Sequence, residues 1–458
     1  MWLQLFPNLE PAEFGSEHSE STSVAVVPRS ANNQEVQGMI RRFIGAGLLM
    51  TLLLFPTAPV LGGGAQEDVT RDDVEIRFWA LMSGPDGEVL EDMVDTFNQE
   101  HDDITVLFDI TDWDAYYEQL TAAIAGGDAA DVAIAHTANL PAFADERFLY
   151  SFNDAVDAGL LNPETFVPRA WDGADYDGLQ FGVPFDTIAA MVLYVNDLYY
   201  DAAGLEGAPA DAEELVEYAR LIQENTDAEY GFEVPFSGIR LYRYWYSALH
   251  QNGGQLLTDD NSRAAFNTPE GRAALQYWVD MIYEHELAPD EPIEDAFQLG
   301  IVGMILDGVW MTTGFDDHEG LSYSLFAIPA LFEPGNRSFF SNSHNFILPR
   351  QRPEDEAKRQ AAFQFVSWMS DNSRIWSEEA GMVTARADII DDPTFTDVRF
   401  MEEISKQVEY ATYPPRIMET GEVHSVIIDE LERAIALDVS VEQALNEAER
   451  RVNAVLGR

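Results

Sequence analysis

Apolar and polar residues alternate along Val74–Ala80, a run rich in β-formers, which predicts a strand. Ser83–Gly84–Pro85–Asp86–Gly87 then supplies turn chemistry, and Val89, Leu90, Met93, Val94 and Phe97 recur at the spacing of one helix face. Ile104–Ile110 reads as a second strand. Tyr117, Leu120 and Ile124 stripe a second helix that stops at Gly126–Gly127, and Val132–Ala135 is a short buried strand. Strand, helix, strand, helix, strand predicts an α/β fold on a mostly parallel, doubly wound sheet. Further strands are expected at Phe181–Pro184, Ala190–Asn196 and Gly303–Leu306. Long helices are expected at Ala212–Asn225, Tyr242–Asn252, Pro269–Glu284, Glu354–Met369 and Val441–Leu456. No fixed-period repeat or low-complexity linker divides this stretch, so two lobes would be joined by structured strands. The crossings are placed near Pro184–Ile188, Ser324–Pro329 and Asp371.

Phe43–Phe55 is the only long apolar run, and its 13 residues fall short of the ~20 that a membrane-spanning helix needs. Preceded by Arg41 and Arg42 and followed by Gly62–Gly63–Gly64–Ala65, it reads as a signal peptide over 39–65, cleaved after Ala65. Counting on to Leu61 makes it a signal anchor instead, but one interrupted by Pro56 and Pro59. Residues 1–38 read as an over-extended gene model, with Met39 as the start. The exported chain is expected to be soluble and monomeric in the periplasm or outside the cell, without a lipid anchor because no cysteine is present.

Composition narrows the partners. The chain has 26 basic and 81 acidic residues, a formal net charge of −55, so it repels nucleic acid and anionic lipid surfaces. Without cysteine there are no disulfides, zinc knuckles or thiol chemistry. Lys358 and Lys406 are the only lysines, and neither lies in a phosphate-binding loop. Acidic, lysine-poor surfaces suit a salty medium, where a Debye length of ~3 Å at 1 M screens their repulsion. Loss of the leader leaves 23 bases against 76 acids.

Enzyme motifs fail. There is no G-x-S-x-G elbow, no H-E-x-x-H helix and no G-x-G-x-x-G after a strand, and His285–Glu286 lacks a second histidine. Trp171–Gly178 has the acids of a calcium loop, but the frame that places Gly178 correctly puts Gly173 and Pro184 where carboxylates are required. It reads as an acidic turn. Aromatic residues are prominent instead, with 9 Trp, 17 Tyr and 27 Phe. Many stand at loop ends or helix starts, where a sugar's C–H face would find a platform. Trp310 follows the strand Gly303–Leu306 and so sits at a strand end, where α/β sites are built.

Several segments together resemble the extracellular solute-binding proteins of ABC importers, in the carbohydrate-binding group related to maltose-binding protein. FWALMSGPDGEVLEDMVDTFNQEH is similar to that group's opening strand, turn and helix. WDAYYEQLTAAIAGGDAADVAIAH, FGVPFDTIAAMVLYVNDLYYDAAGL, FNTPEGRAALQYWVDMI, FQLGIVGMILDGVW and AAFQFVSWMSDNSRIWSEEAGMVTAR match later blocks in order. Ala130 and Thr384 stand where proline is common in the group. The resemblance implies a two-lobed periplasmic-binding-protein-like α/β fold, each lobe a mostly parallel doubly wound sheet, with the ligand cleft between lobes. It assigns 66–185 and 326–370 to the first lobe and 186–325 and 371–458 to the second.

By position, the resemblance brings Ser83, Trp113, His136 and Thr137 to the cleft from the first lobe and Trp245, Asp307 and Trp310 from the second. Asp186 falls at the hinge as an acceptor of sugar hydroxyls, Ser343, His344 and Asn345 rim the cleft, and Arg386 follows the turn Glu379–Met382. The implied function is non-enzymatic capture of a neutral mono- or oligosaccharide for ABC permease subunits, with no cofactor and no metal. Few arginines are expected in the cleft, which disfavours anionic sugars. A polyamine or cation binder and an exported carbohydrate-active enzyme are the alternatives.

Overall fold

The computed structural model describes residues 73–457, apart from 112, 189, 406, 408 and 409 and the side chains of 113, 114, 188, 396 and 405. The leader assigned to 39–65 and the extension 1–38 lie outside the described residues. Among the described residues no helix is long and apolar enough to cross a membrane.

The alternation of Val74–Ala80 becomes strand β1, burying Ile76, Phe78 and Ala80. It pairs in parallel with β2, Ile104–Ile110, and with β3, Val132–His136. Helix α1, Pro85–Glu100, connects β1 to β2, and Val89, Leu90, Met93, Val94 and Phe97 form its buried stripe. Helix α2, Trp113–Gly126, leads to β3. Strand His344–Pro349 then returns antiparallel to β3, with His344 opposite His136, and closes the sheet together with Leu149–Tyr150 and Val183–Pro184. Helix Glu356–Asp371 packs over β1 and wedges Phe365 edge-on against Phe78 and Phe97, at centroid distances of 5.2 and 5.1 Å. Asp131 accepts the Arg77 backbone N–H at 2.8 Å, a carboxylate clamp between β1 and the start of β3.

The second sheet departs from expectation. Met191–Asn196 lies at its centre, antiparallel to both Met304–Gly308 and Tyr323–Ala327, so this sheet lacks the parallel winding of the first. All six residues of the central strand are buried, and a strand covered on both faces has the same continuous apolar signature whichever way its neighbours run. Helix Gly238–Gln251 is the spine of this lobe: ten of its 14 residues are buried, and it packs on Pro269–Tyr283 and Thr420–Ile435. Helix ends follow local chemistry. Asp211 caps Ala212–Asn225 by accepting the Glu214 N–H, and Ser440 with Gln443 forms a capping box on Val441–Val455.

Asp175–Tyr176 and Leu179–Gln180 pair as a hairpin, with Asp177 and Gly178 left-handed at φ 56° and 82°. That two-residue turn is the acidic turn expected at this segment. The chain leaves the first sheet after Pro184, and Asp186–Ile188 pairs with Val383–Thr384 before the second sheet begins at Met191. It returns between Ala327 and His344.

Phe365→Ala is expected to cost ~3–5 kcal/mol, because two aromatic rings, Phe78 and Phe97, lose their common partner in a site without solvent access. A urea midpoint unchanged from the parent would contradict this packing.

Candidate functional site

Several element ends converge on a cavity of about 210 Å³. Ser83 and Asp86 come from the turn after β1 and the first turn of α1, His136 ends β3, and His344 starts the return strand. Arg243, from helix Gly238–Gln251, and Trp310, just beyond Met304–Gly308, line it from the elements of the second sheet. Leu81, Met82, Ile239, Met311, Phe340 and Met382 supply apolar surface.

Trp310 is half-buried, with the Arg243 guanidinium carbon 4.6 Å from its ring centre. Gly308 makes this position possible, since a Cβ there would come within 2.0 Å of the indole. Arg243 is 9% exposed, and burial pulls its pKa down to about 10. The Asp307 charge opposes that shift, the neighbouring Arg240 adds to it, and Asp86 opposes it again. Arg240 in turn bridges Asp307 and Glu233, each at 2.9 Å.

Asp86 faces this cation across the cavity wall while only 6% exposed, and its Oδ1 has no hydrogen-bond partner. Burial raises its pKa from 3.8 to about 6 against the opposing pull of His344, its own and Gly87's backbone N–H groups and Arg243. His344 is governed by Asp186. Its Nδ1 lies 2.6 Å from one carboxylate oxygen and its backbone N–H donates to the other at 3.0 Å. Burial lowers the imidazole's pKa, but the Asp186 charge and hydrogen bond carry it above its ordinary value. His136 moves the other way, to well below its ordinary value, through burial and then the nearby charges of His344, Arg243 and His424. Its backbone N–H donates to the Tyr117 hydroxyl at 3.0 Å, and Nδ1 lies 2.5 Å from the same oxygen in a second hydrogen bond.

Of the residues expected from sequence, Ser83, His136, Trp310 and His344 line this cavity. Thr137 and Ser343 line a second, larger one of about 500 Å³. Five others line neither. Asp186 is fully buried and is no acceptor for sugar hydroxyls, because His344 and the Trp376 indole, 3.1 Å away, already engage its oxygens. Trp245 is a core residue, donating to the Gly271 carbonyl at 3.2 Å and packing edge-on against Phe266. Asp307 sits behind the wall as the counter-ion of Arg240. Asn345 is buried and donates to the Thr137 hydroxyl at 2.9 Å. Arg386 is held by Asp371 and Asp388. Trp113 begins α2, and its side chain lies outside the described residues.

Asp86 and Arg243 were not anticipated. Asp86 is the one acid of the Ser83–Gly87 turn, placed just inside a helix start. Arg243 is the one charge within Tyr242–Tyr246, and a lone guanidinium inside an aromatic run on a core helix signals a buried site. Arg243 is the arginine that lines this cavity, and Arg169 and Arg416 line the second one.

A family model described as bacterial extracellular solute-binding protein matches residues 83–373. An arabinooligosaccharide-binding protein of Halalkalibacterium halodurans is 25% identical over 376 residues, covering 78% of this chain and 82% of its own. The cyclic α-maltosyl-1,6-maltose binding protein of Arthrobacter globiformis superposes with a TM-score of 0.67 at 27% identity, covering 84% of this chain and 99% of that one. An ABC substrate-binding protein of Listeria monocytogenes, solved with cycloalternan, gives a TM-score of 0.73 at 24% identity, over 84% and 100% of the two chains.

The Asp86 carboxyl holds its proton more tightly in the folded than in the unfolded chain, so its contribution to stability falls as pH rises from about 4 to about 6. Asp86→Asn removes that loss. The variant is expected to match the parent in thermal melts near pH 4 and to exceed it by about 3 kcal/mol at pH 8, the equivalent of two pKa units. Superimposable melting temperatures at both pH values would show a solvated carboxylate.

Proposed function

The chain belongs to the bacterial extracellular solute-binding proteins, and on that premise we propose that it captures a neutral mono- or oligosaccharide between its lobes and delivers it to an ABC permease. The observation that carries this reading is the presence in one cavity lining of an aromatic platform, Trp310, and the unpartnered oxygen of Asp86. A pyranose has a flat C–H face that desolvates well on an indole and a rim of hydroxyls that need acceptors. Asp86 supplies a carboxylate acceptor, and His136 brings an imidazole to the same lining.

Charge balance favours a neutral ligand. Arg240 and Arg243 stand against Asp307 and Glu233, and His344 against Asp186, which leaves Asp86 as the remaining acid of the lining. A uronate or sugar phosphate would meet an arginine whose charge is already balanced. Because the lining comes from both lobes, a ligand makes its full set of contacts only when they are together, so binding shifts the population towards the closed state. The lobe assignment 66–185 with 326–370 against 186–325 with 371–458, export through a leader ending at Ala65, and a monomeric, non-enzymatic protein belong to the same proposal.

Trp310→Ala is expected to weaken sugar binding by at least about tenfold in calorimetry while the melting temperature stays near that of the parent. Unaltered affinity would remove the indole from the ligand's path. A thermal-shift panel of neutral oligosaccharides, monosaccharides and polyamines separates the proposal from a cation binder, which would use Asp86 alone. Recovery of the oligosaccharides intact after incubation separates it from an enzyme.

A further inference from the structure

Trp310 is carried by a single turn, Val309–Met311, between the strand Met304–Gly308 and the short helix Thr312–Asp316. A platform adds affinity when its angle is set before the ligand arrives, because less then has to be ordered on binding. The turn is tied down on several sides. The Gly308 carbonyl accepts the Tyr194 hydroxyl at 2.9 Å, the Val309 N–H donates to the Ala190 carbonyl at 3.0 Å, and the Thr312 hydroxyl donates to the Val309 carbonyl at 2.8 Å. A further tie comes from a carboxylate. Asp307 Oδ1 accepts the Gly308 N–H at 2.7 Å, and Gly308 is the residue on which the outer rim of the indole rests.

Asp307 is 4% exposed and lines neither cavity. Its second oxygen lies 2.9 Å from Arg240 Nε, while Arg240 Nη1 donates to Glu233 at 2.9 Å. Burying a second acid beside Arg240 costs desolvation that the Glu233 pair does not require. Arg240 and Arg243 stand one turn apart on the same helix, Gly238–Gln251, and the Arg243 guanidinium carbon lies 4.6 Å from the Trp310 ring centre. Asp307 therefore reaches the indole from two directions, through the peptide it rests on and through the arginine pair beside it. Its charge is also the foremost of those that oppose the fall in the Arg243 pKa.

We propose that Asp307 is a positioning residue for ligand binding: its bond to the Gly308 N–H and its contact with Arg240 fix the angle of the Trp310 indole, so it governs affinity without touching the ligand. This rests on Trp310 as the platform of the proposed sugar site. Asn at this position keeps the volume and an oxygen for the Gly308 N–H but loses the charge, whereas Ala and Ser lose the acceptor at that reach.

Calorimetry of the full chain with maltotriose and cycloalternan, combined with fluorine NMR of protein carrying fluorotryptophan, tests the proposal. Asp307→Ala and Asp307→Ser are expected to weaken sugar binding at least about fivefold, and Asp307→Asn to recover most of that loss. In the Trp310→Ala background Asp307→Ala is expected to add less than about twofold, because the group it acts through is already gone. In the ligand-free protein the Trp310 resonance, identified by its loss in Trp310→Phe, is expected to move or broaden in Asp307→Ala and Asp307→Ser and to stay near the parent position in Asp307→Asn. Equal losses of affinity in both backgrounds, or a Trp310 resonance that Asp307→Ala and Asp307→Ser leave in place, overturn the proposal. If neither sugar binds the parent, the sugar reading fails with that probe set, and the resonance alone decides the role of Asp307.

Discussion

Three separate passes of the chain meet at one carboxylate. Asp186 lies where the chain first leaves the first sheet, His344 where it comes back, and Trp376 on the helix Ser373–Ala380 that precedes the strand paired with Asp186. Fully buried, Asp186 takes two donors from His344 and one from the Trp376 indole, and Trp376 stacks on Phe185 at 5.1 Å. A buried charge is tolerable only when its partners are in place, so the lobes share a junction whose geometry is fixed by the cost of leaving that anion alone. The ends of β3, the return strand and the opening of α1 are positioned around it.

This junction also sets the electrostatics of the cavity. By raising the His344 pKa, Asp186 favours a positive charge beside Asp86, and that charge lowers the pKa of His136. Arg243 is treated similarly from the other side, with Asp307 behind it and Trp310 in front. Apart from Asp86, the charged groups of the wall are balanced from behind, so most of what faces inward is polar without net charge. Such a surface suits a ligand that offers hydroxyls rather than charge.

Much of the fold was legible in the sequence, because it rests on periodicity. Val74–Ala80 and the stripe on α1 follow their apolar spacing, and Ile104–Ile110 forms its strand although Leu107 and Ile110 are exposed. Strand direction in the second sheet was not legible, since burial on both faces erases the alternation that distinguishes one face from the other. Trp310 could be placed from its position after a strand, whereas Trp245 could not be told from it by composition. Only the packing of Gly238–Gln251 on two other helices shows that this tryptophan points into the core. Asp186 is engaged by His344 and Trp376 rather than open to a ligand, because a sequence shows where a carboxylate lies and not which buried donor reaches it first. Asp86 was passed over as a turn residue. Its significance comes from being shielded from water, and that is a property of the assembled molecule.

Asn342, Ser343 and His344 are consecutive, yet Asn342 and His344 look into one cavity and Ser343 into the other. His136 and Thr137 divide in the same way. Alternation along an extended backbone makes this partition automatic, so the register between these segments specifies two linings at once. A slip of one residue would exchange the contents of both chambers rather than damage either alone. The partition wall is thus a single piece of information read from two sides, and variation at these five positions is constrained twice over.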